Sequence, residues 1–336
     1  MNWADQNYSI GRGLAALRHK NGLEYQPYLK ALVENILPDL LSSATGSTFP
    51  NVSRDQLLRA KVFMHSLEQQ LAISRVLSSL DDKIELNRQM CKTLEDIAGT
   101  LFKSWFIDFD PVKAKAAGRE PEGMSPEITE LFPNTFISNE IPSGWHFSVA
   151  YDWAEYINGA AYKDSHFTEA INGLPIIKIA ELKSGISSGT KYSNVNLGGK
   201  YKIETGNILL SWSGSPETSI DTFLWVGGSG WLNQHIFNVI PKTTESRAFI
   251  YFLLKYIKPK LINIAKNKQT TGLGHITVKD LKELKVVNPG HKIINSFDLI
   301  VAPILQRIQQ SMEENVYLSR TRNNLLPKLI SGEIQL

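Results

Sequence analysis

Two long stretches of the chain place apolar residues at alternating steps of three and four. The first runs Leu77, Leu80, Ile84, Asn87, Cys91, Leu94, Ala98, Leu101 and Trp105, which is the spacing of a coiled-coil seam. The second runs Val301, Ile304, Ile308, Ser311, Asn315, Leu318, Arg322, Leu325 and Leu329, each 224 residues after its counterpart (301 − 77 = 224). The pattern predicts two helices of about 40 residues, each roughly 60 Å long at 1.5 Å per residue. Each would bury its stripe against the other. Asn87 and Ser311 stand mid-seam, where a polar layer fixes register at some cost in stability; the other reading is that they face water at a wide crossing. Cys91, also in the seam, reads as a small buried apolar residue.

The same offset recurs upstream of the helices. NVSRDQLLRAKV (Asn51 to Val62) matches HITVKDLKELKV (His275 to Val286), 275 − 51 = 224, and LEDIAGTLFKSWF from Leu94 matches LSRTRNNLLPKLI from Leu318. Thr45-Gly46 and Thr271-Gly272 precede the copies with a slip of about two residues, which a loop absorbs. The chain therefore carries two copies of one unit, a mixed segment followed by a long helix. Because a substantial segment connects them, the helices are expected to pair antiparallel about a pseudo-twofold axis, as a spacer with whatever precedes each helix at opposite ends.

Between the helices the periodicity changes. SGWHFSVAYDWAEYINGAAY, GLPIIKIAELKSGI, KYKIETGNILLSWSGSP and FLWVGGSGW read as short strands punctuated by glycine, and SRAFIYFLLKYIKPK as a helix stopped near Pro259. The expected organisation is residues 1–62 as part of a first domain, 63–107 as the first helix, 108–140 as a linker, 141–290 as a complete domain and 291–336 as the second helix. The fold class is mixed α/β with a two-helix coiled coil.

Composition narrows the function classes. With 336 residues and 42 % hydrophobic content the chain can build real cores. One cysteine excludes an internal disulfide framework, no apolar run approaches a membrane span, and MNWADQNYSIGRG lacks the pattern of a signal peptide, so a cytoplasmic location is expected. The net charge of +3 says little, but its distribution says more. Arg247 to Lys279 contains no Asp or Glu while holding Lys255, Lys258, Lys260, Lys266, Lys268 and Lys279, a span suited to phosphates or to a solvated helix face. No phosphate loop, metal-ligand spacing, nucleophile elbow or methyltransferase Asn/Asp-Pro-Pro-Tyr/Phe motif occurs. Asp110-Pro-Val-Lys113 faintly resembles a nuclease carboxylate-lysine pair, but no acidic strand precedes it and it is expected to end a helix.

SWFIDFDPVKAKAAG after the first heptad helix, LLPKLISGEI closing the second, and the leucine-bearing element before each helix resemble the specificity subunit of type I restriction-modification enzymes. The resemblance covers nearly the whole chain. It implies two target recognition domains held apart by two antiparallel helices, each domain reading half of an interrupted double-stranded DNA site, and no catalytic residues or metal in this chain. It further implies methyltransferase subunits, two of them, and restriction/translocase subunits as partners, with S-adenosylmethionine, ATP and Mg bound by those partners and no membrane involved. The aromatic cluster of SWFIDF would close the coiled coil, and the strap after it would lead to the second recognition domain.

The second unit begins near Trp145, so its counterpart would begin at 145 − 224 = −79. About 80 residues of the first recognition domain are thus expected to be missing, which leaves recognition of the first half-site open. For DNA contact the candidates are loop residues whose amides and hydroxyls can read base edges and whose lysines can hold phosphates. They are Ser211, Trp212, Ser213 and Ser215 in LLSWSGSP, Asn233 and Gln234 in WLNQHI, and Lys266, Lys268, Gln269, Thr270 and Thr271 in AKNKQTTG. The alternative is a coiled-coil scaffold that only binds proteins, or a recombination-donor fragment without DNA specificity of its own.

Overall fold

The computed structural model describes residues 3–4, 6–11, 13–42, 52–137, 140–243, 246–269 and 272–336. Thr45, Gly46, Thr270 and Thr271 lie outside the described residues. The first helix, α1 (Gln26–Ser42), is followed by the six-residue α2 (Arg54–Arg59) and the 40-residue α3 (Leu67–Phe106). Short helices α4 (Asp110–Ala116), α5 (Pro126–Leu131), α6 (Ile179–Ser184) and α7 (Pro216–Ser219) punctuate the middle of the chain. Then come α8 (Arg247–Asn267), α9 (Val278–Glu283) and α10 (His291–Ile330).

The offset read from the sequence reappears in these boundaries. Adding 224 carries the ends of α2 onto 278 and 283, the ends of α9, and those of α3 onto 291 and 330, the ends of α10. The local chemistry repeats as well. Ser53 and Gln56 form a capping box at the start of α2, and Thr277 and Asp280 form one at α9, each satisfying two backbone N–H groups that a helix start leaves free.

The chain divides into two compact units, Met1–Arg88 with Glu314–Leu336, and Gln89–Glu313. The division falls inside both long helices rather than at their ends, where the sequence boundaries were set. In the first unit, Tyr28, Ala31 and Leu32 of α1 pack with Ile73 and Leu77 of α3 and Leu329 and Ile330 of α10. The helix pair runs antiparallel here. Arg322 donates to Asp81 at 2.6 Å while Glu314, two turns earlier in α10, meets Lys83 at 3.3 Å.

Asn87 is fully buried; its side-chain amide donates to Glu314 at 2.8 Å and to Asn315 Oδ1 at 3.0 Å, and Asn315 donates to the Ile84 carbonyl at 3.2 Å. Ser311, in the second unit, turns its buried hydroxyl onto the Arg307 carbonyl of its own helix at 2.9 Å. The polar layer is therefore an Asn87–Asn315 pair rather than the expected Asn87–Ser311, because an antiparallel seam matches residues whose numbers fall as their partners' rise. Replacing both asparagines with Leu should stabilise the pair by about 1 kcal/mol and loosen its register, whereas Asn87→Leu alone should cost about that much by stranding the Asn315 carbonyl. Thermal melting with cysteine crosslinking across the seam checks this; a double variant that melts lower with unchanged crosslinks would contradict it.

The second unit holds the larger core. Phe102, Trp105 and Phe106 at the end of α3 meet Phe132, Trp145, Phe249 and Phe297 in edge-on and tilted contacts 5–6.5 Å between ring centres, arrangements that exploit the ring quadrupole. This is why the helix stops abruptly after SWF. Phe109 takes a left-handed backbone conformation (φ 57°), uncommon for a bulky residue, with its ring against Phe136 and Trp145. Asp110 thus begins a helix, α4, instead of ending one. Lys115 of the basic strap donates to the Thr129 carbonyl at 2.8 Å and to the Phe132 carbonyl, closing the end of α5.

Strands β1 (Phe136–Ile137) and β2 (Ile141–Pro142) form a hairpin; β3 (His146–Val149) pairs with the last strand of the unit, residues Lys285–Asn288. An antiparallel sheet combines β4 (Ala154–Asn158) with three later strands, and a second sheet contains β5 (Leu174–Ile177), β6 (Tyr192–Ser193) and β7 (Lys202–Ile203). The strands β8 (Ile208–Ser211), β9 (Ser213–Gly214), β10 (Asp221–Leu224), β11 (Gly230–Leu232), β12 (Ile236–Pro241), β13 (Gly274–His275) and β14 (Lys285–Asn288) complete them. The orders are β10-β8-β12-β4, all antiparallel, and β6-β5-β11-β7, in which β11 runs parallel to β5.

Helix α8 does not stop at Pro259 but continues to Asn267. Proline inside a helix costs about 3 kcal/mol, and burial of Leu261 and Ala265 in the core beyond it offsets that cost. The start of α8 is capped from α10. Asp298 accepts the backbone N–H of Ala248 at 3.1 Å and of Phe249 at 2.8 Å. Burial pushes its carboxyl up to about 6 against those bonds and Arg247. Ser74, at 298 − 224, does the same work on α1, accepting from Tyr28 N at 3.1 Å.

Candidate nucleic-acid interface

Four segments far apart in sequence meet at one end of the β10-β8-β12-β4 sheet. The chain leaving β8 passes through Trp212, whose backbone N–H donates to the His235 carbonyl at 3.2 Å and whose carbonyl accepts from Ile276 N at 2.8 Å. The Trp212 indole N–H donates to Asn158 Oδ1 at 2.8 Å, and its ring lies on Phe237 with centres 5.7 Å apart and beside His235 at 5.6 Å. Strand β9 pairs with β13, setting Ser213 opposite His275. Trp212 thus links the end of β4, the β11–β12 turn and the segment after α8.

Two glycines allow this convergence. A Cβ on Gly159 would overlap the carbonyl oxygens of Leu232 and Asn233, and one on Gly274 would overlap the Ala265 carbonyl at the end of α8. Only a residue without a side chain lets these backbones approach so closely.

The candidate residues fall into different roles. Gln234, Ser215 and Gln269 are exposed, and Trp212, Ser213 and Asn233 half-buried. Gln269 is steadied by its own amide nitrogen, which donates to the Gly272 carbonyl at 2.6 Å. Asn233 is held by its backbone, which donates to Ile177 O at 3.0 Å. Ser211 is a correction: it is 0 % exposed and its hydroxyl is spent on the Ser219 carbonyl and the Asp221 N–H. It secures the turn through α7 and presents nothing to DNA.

The lysines require a second correction. The span from Arg247 to Lys279 is free of acids in sequence but not in space. Lys255 and Lys258 both reach Asp221 (3.6 and 2.7 Å), Lys266 reaches Glu217 (2.6 Å), Lys268 reaches Asp280 (2.5 Å) and Lys279 reaches Glu283 (3.8 Å). Asp221 and Glu217 come from the β9–β10 region, so the row is largely neutralised by tertiary structure. Lys266 and Glu217 are both well exposed, and such a pair is worth little and opens readily to a phosphate.

Asn158, His235 and His275 join the cluster without having been singled out from sequence. Asn158 and His275 are exposed, and His235 Nε2 stands 3.3 Å from the Gln234 amide nitrogen. The one signal for Asn158 was the Asn-Gly dipeptide, an ordinary turn mark; lone histidines carry none.

A family model described as the type I restriction modification DNA specificity domain matches residues 1–96 and 142–313. The chain belongs to that family. It is a DNA specificity subunit of the type I restriction-modification kind, a class of subunit that is not itself catalytic. The chain is 26 % identical over 339 aligned positions to the HindI specificity subunit of Haemophilus influenzae, covering 88 % of this chain and 73 % of that one. It is 27 % identical over 302 positions to the MjaIX specificity subunit of Methanocaldococcus jannaschii, covering 86 % and 64 %. In fold, this specificity subunit is similar to the crystal structure of a type I S subunit from M. genitalium, with a TM-score of 0.51, 18 % identity, and coverage of 90 % and 72 %. Among the described residues of the specificity subunit, no helix is long and apolar enough to cross a membrane.

Proposed function

We propose that residues 141–290 read one half of a bipartite double-stranded DNA site through the loops joined at Trp212. In this reading the long helices dock two methyltransferase subunits, restriction/translocase subunits complete the assembly, and S-adenosylmethionine, ATP and Mg are held by those partners. The observation that carries it is the convergence at Trp212 of the segments bearing Asn158, Gln234 and His275, exposed amides and imidazole, on one glycine-fitted junction, with Gln269 on the segment that leads to His275. Side chains of this kind match the donor and acceptor pattern of base edges in the major groove, and a rigid support preserves their geometry.

The test is to reconstitute the chain with its methyltransferase subunits and map methylated sites on genomic DNA. Gln269→Ala should relax one or two positions of one half-site while the other half and complex assembly persist, since a bidentate amide contact discriminates by about 1–3 kcal/mol. A methylated motif indifferent to Gln269→Ala, Gln234→Ala and Asn158→Ala alike would refute the assignment.

A further inference from the structure

The capping boxes of the two copies differ in one charge. In the first, the capping box before α3 uses Ser53 and the neutral Gln56, whose Oε1 accepts from Ser53 N at 2.8 Å. In the second, position 56 + 224 = 280 holds Asp280, which does the same work, accepting from Thr277 N and Thr277 Oγ1, both at 2.7 Å. The cap therefore needs no charge, because an amide serves it. The Asp280 side chain is 8 % exposed, and a buried carboxylate is expensive unless paired. Its cationic partner among the described residues is Lys268, whose Nζ donates to Oδ1 at 2.5 Å. Burial raises the Asp280 carboxyl, but the Lys268 and Thr277 bonds outweigh it and hold it below the usual carboxylate range.

Lys268 sits next to Gln269. It follows the last turn of α8, its own N–H donating to Ala265 O at 3.2 Å and that of Gln269 to Lys266 O at 3.1 Å. The chain then returns through Gly272, in the left-handed region at φ 85°, to Gly274 against Ala265. Gln269 is thus held between the end of α8 and a side-chain anchor on the start of α9.

We infer that the Lys268–Asp280 pair is a positioning device for recognition, a latch that fixes Gln269 in its reading orientation rather than a phosphate contact. The inference rests on the reading that Gln269 contacts bases. It removes Lys268 from the phosphate-binding set and adds Asp280 to the residues that determine specificity.

The experiment compares Lys268→Met, Asp280→Gln, their double variant and Gln269→Ala in the reconstituted methyltransferase complex. Three quantities are read: the methylated motif on genomic DNA, the salt dependence of affinity for a duplex carrying the parent motif, and the melting temperature. Asp280→Gln copies the first repeat and keeps the cap. Lys268→Met alters a side chain that is over a third exposed and keeps the test open should Asp280→Gln fold poorly.

A latch predicts that both single variants lower discrimination by roughly tenfold at the positions that Gln269→Ala relaxes. The salt slope should stay unchanged, and the double variant should be no worse than either single one, as for two residues acting through one bond. If Lys268 instead holds a phosphate, Lys268→Met flattens the slope by about one unit and Asp280→Gln, by freeing the lysine, tightens binding; that result overturns the latch. A motif changed by Gln269→Ala alone also overturns it while leaving base reading intact. A motif unchanged in all four variants removes the DNA reading of this loop and the latch with it.

Discussion

Phe297→Ala is expected to destabilise the Gln89–Glu313 unit by about 3–5 kcal/mol, the cost of emptying a fully packed aromatic site. The side chain has no exposed surface. It touches the rings of Phe102, Trp105, Phe106 and Phe249 at 5.2–6.5 Å between centres, so one truncation removes contacts that join α10 to both α3 and α8. The neighbouring rings are themselves anchored by Trp145 and Phe132 and cannot collapse into the void. For a unit of this size the loss corresponds to a fall in melting temperature of about 2–4 °C per kcal/mol. Differential scanning calorimetry checks it; a loss below about 1 kcal/mol would mean that the aromatic cluster repacks freely.

Gly274→Ala should cost about as much as a buried overpacking substitution, 1–3 kcal/mol, but its larger effect falls on recognition. The added methyl group would overlap the Ala265 carbonyl and press on Pro216. The backbone has to move, because α8 at that point is fixed by the buried Leu261 and Ala265. The movement separates β13 from β9 and shifts His275 and the Trp212 carbonyl bond to Ile276. Methylation mapping should show a motif degraded at several positions of one half-site, beyond what Gln269→Ala does at one or two. Full retention of the motif by Gly274→Ala would show that the junction does not set the reading geometry.

Much of the architecture was legible because it rests on periodic burial. The steps of three and four from Leu80 through Ile84, Leu94 and Leu101, and from Ile304 through Ile308, Leu318 and Leu325, describe the sides of α3 and α10 that are buried or half-buried. A helix that must hide one stripe can hardly do otherwise. The offset of 224 needed only self-comparison, and it carries the observed ends of α2 and α3 onto those of α9 and α10, although the helix bounds set from sequence, 63–107 and 291–336, ran past the observed ends. Pro259 misled because local propensity was weighed without the burial of Leu261 and Ala265, which tertiary packing supplies. Asp110 misled because the left-handed turn at Phe109 depends on the rings of Phe136 and Trp145, one of them 36 residues on.

The site divides along the same line. The amino-acid sequence alone determined which segments carry exposed amides, hydroxyls and lysines, since turn residues between apolar runs end up on the surface. It also determined the family, through motifs at the ends of the heptad helices. Tertiary structure alone decided which of those side chains remain available. Ser211 lies in a strand whose two faces are both covered, Lys255 and Lys258 meet Asp221, and Lys268 meets Asp280. Asn158 and His275 become neighbours of Trp212 only once β4 and β13 are set around it. The physical reason is range: burial periodicity and the capping boxes act within a few residues and are written locally, whereas loop convergence and the pairing of Lys255, Lys258 and Lys266 depend on partners dozens of residues away, fixed only when the sheet closes.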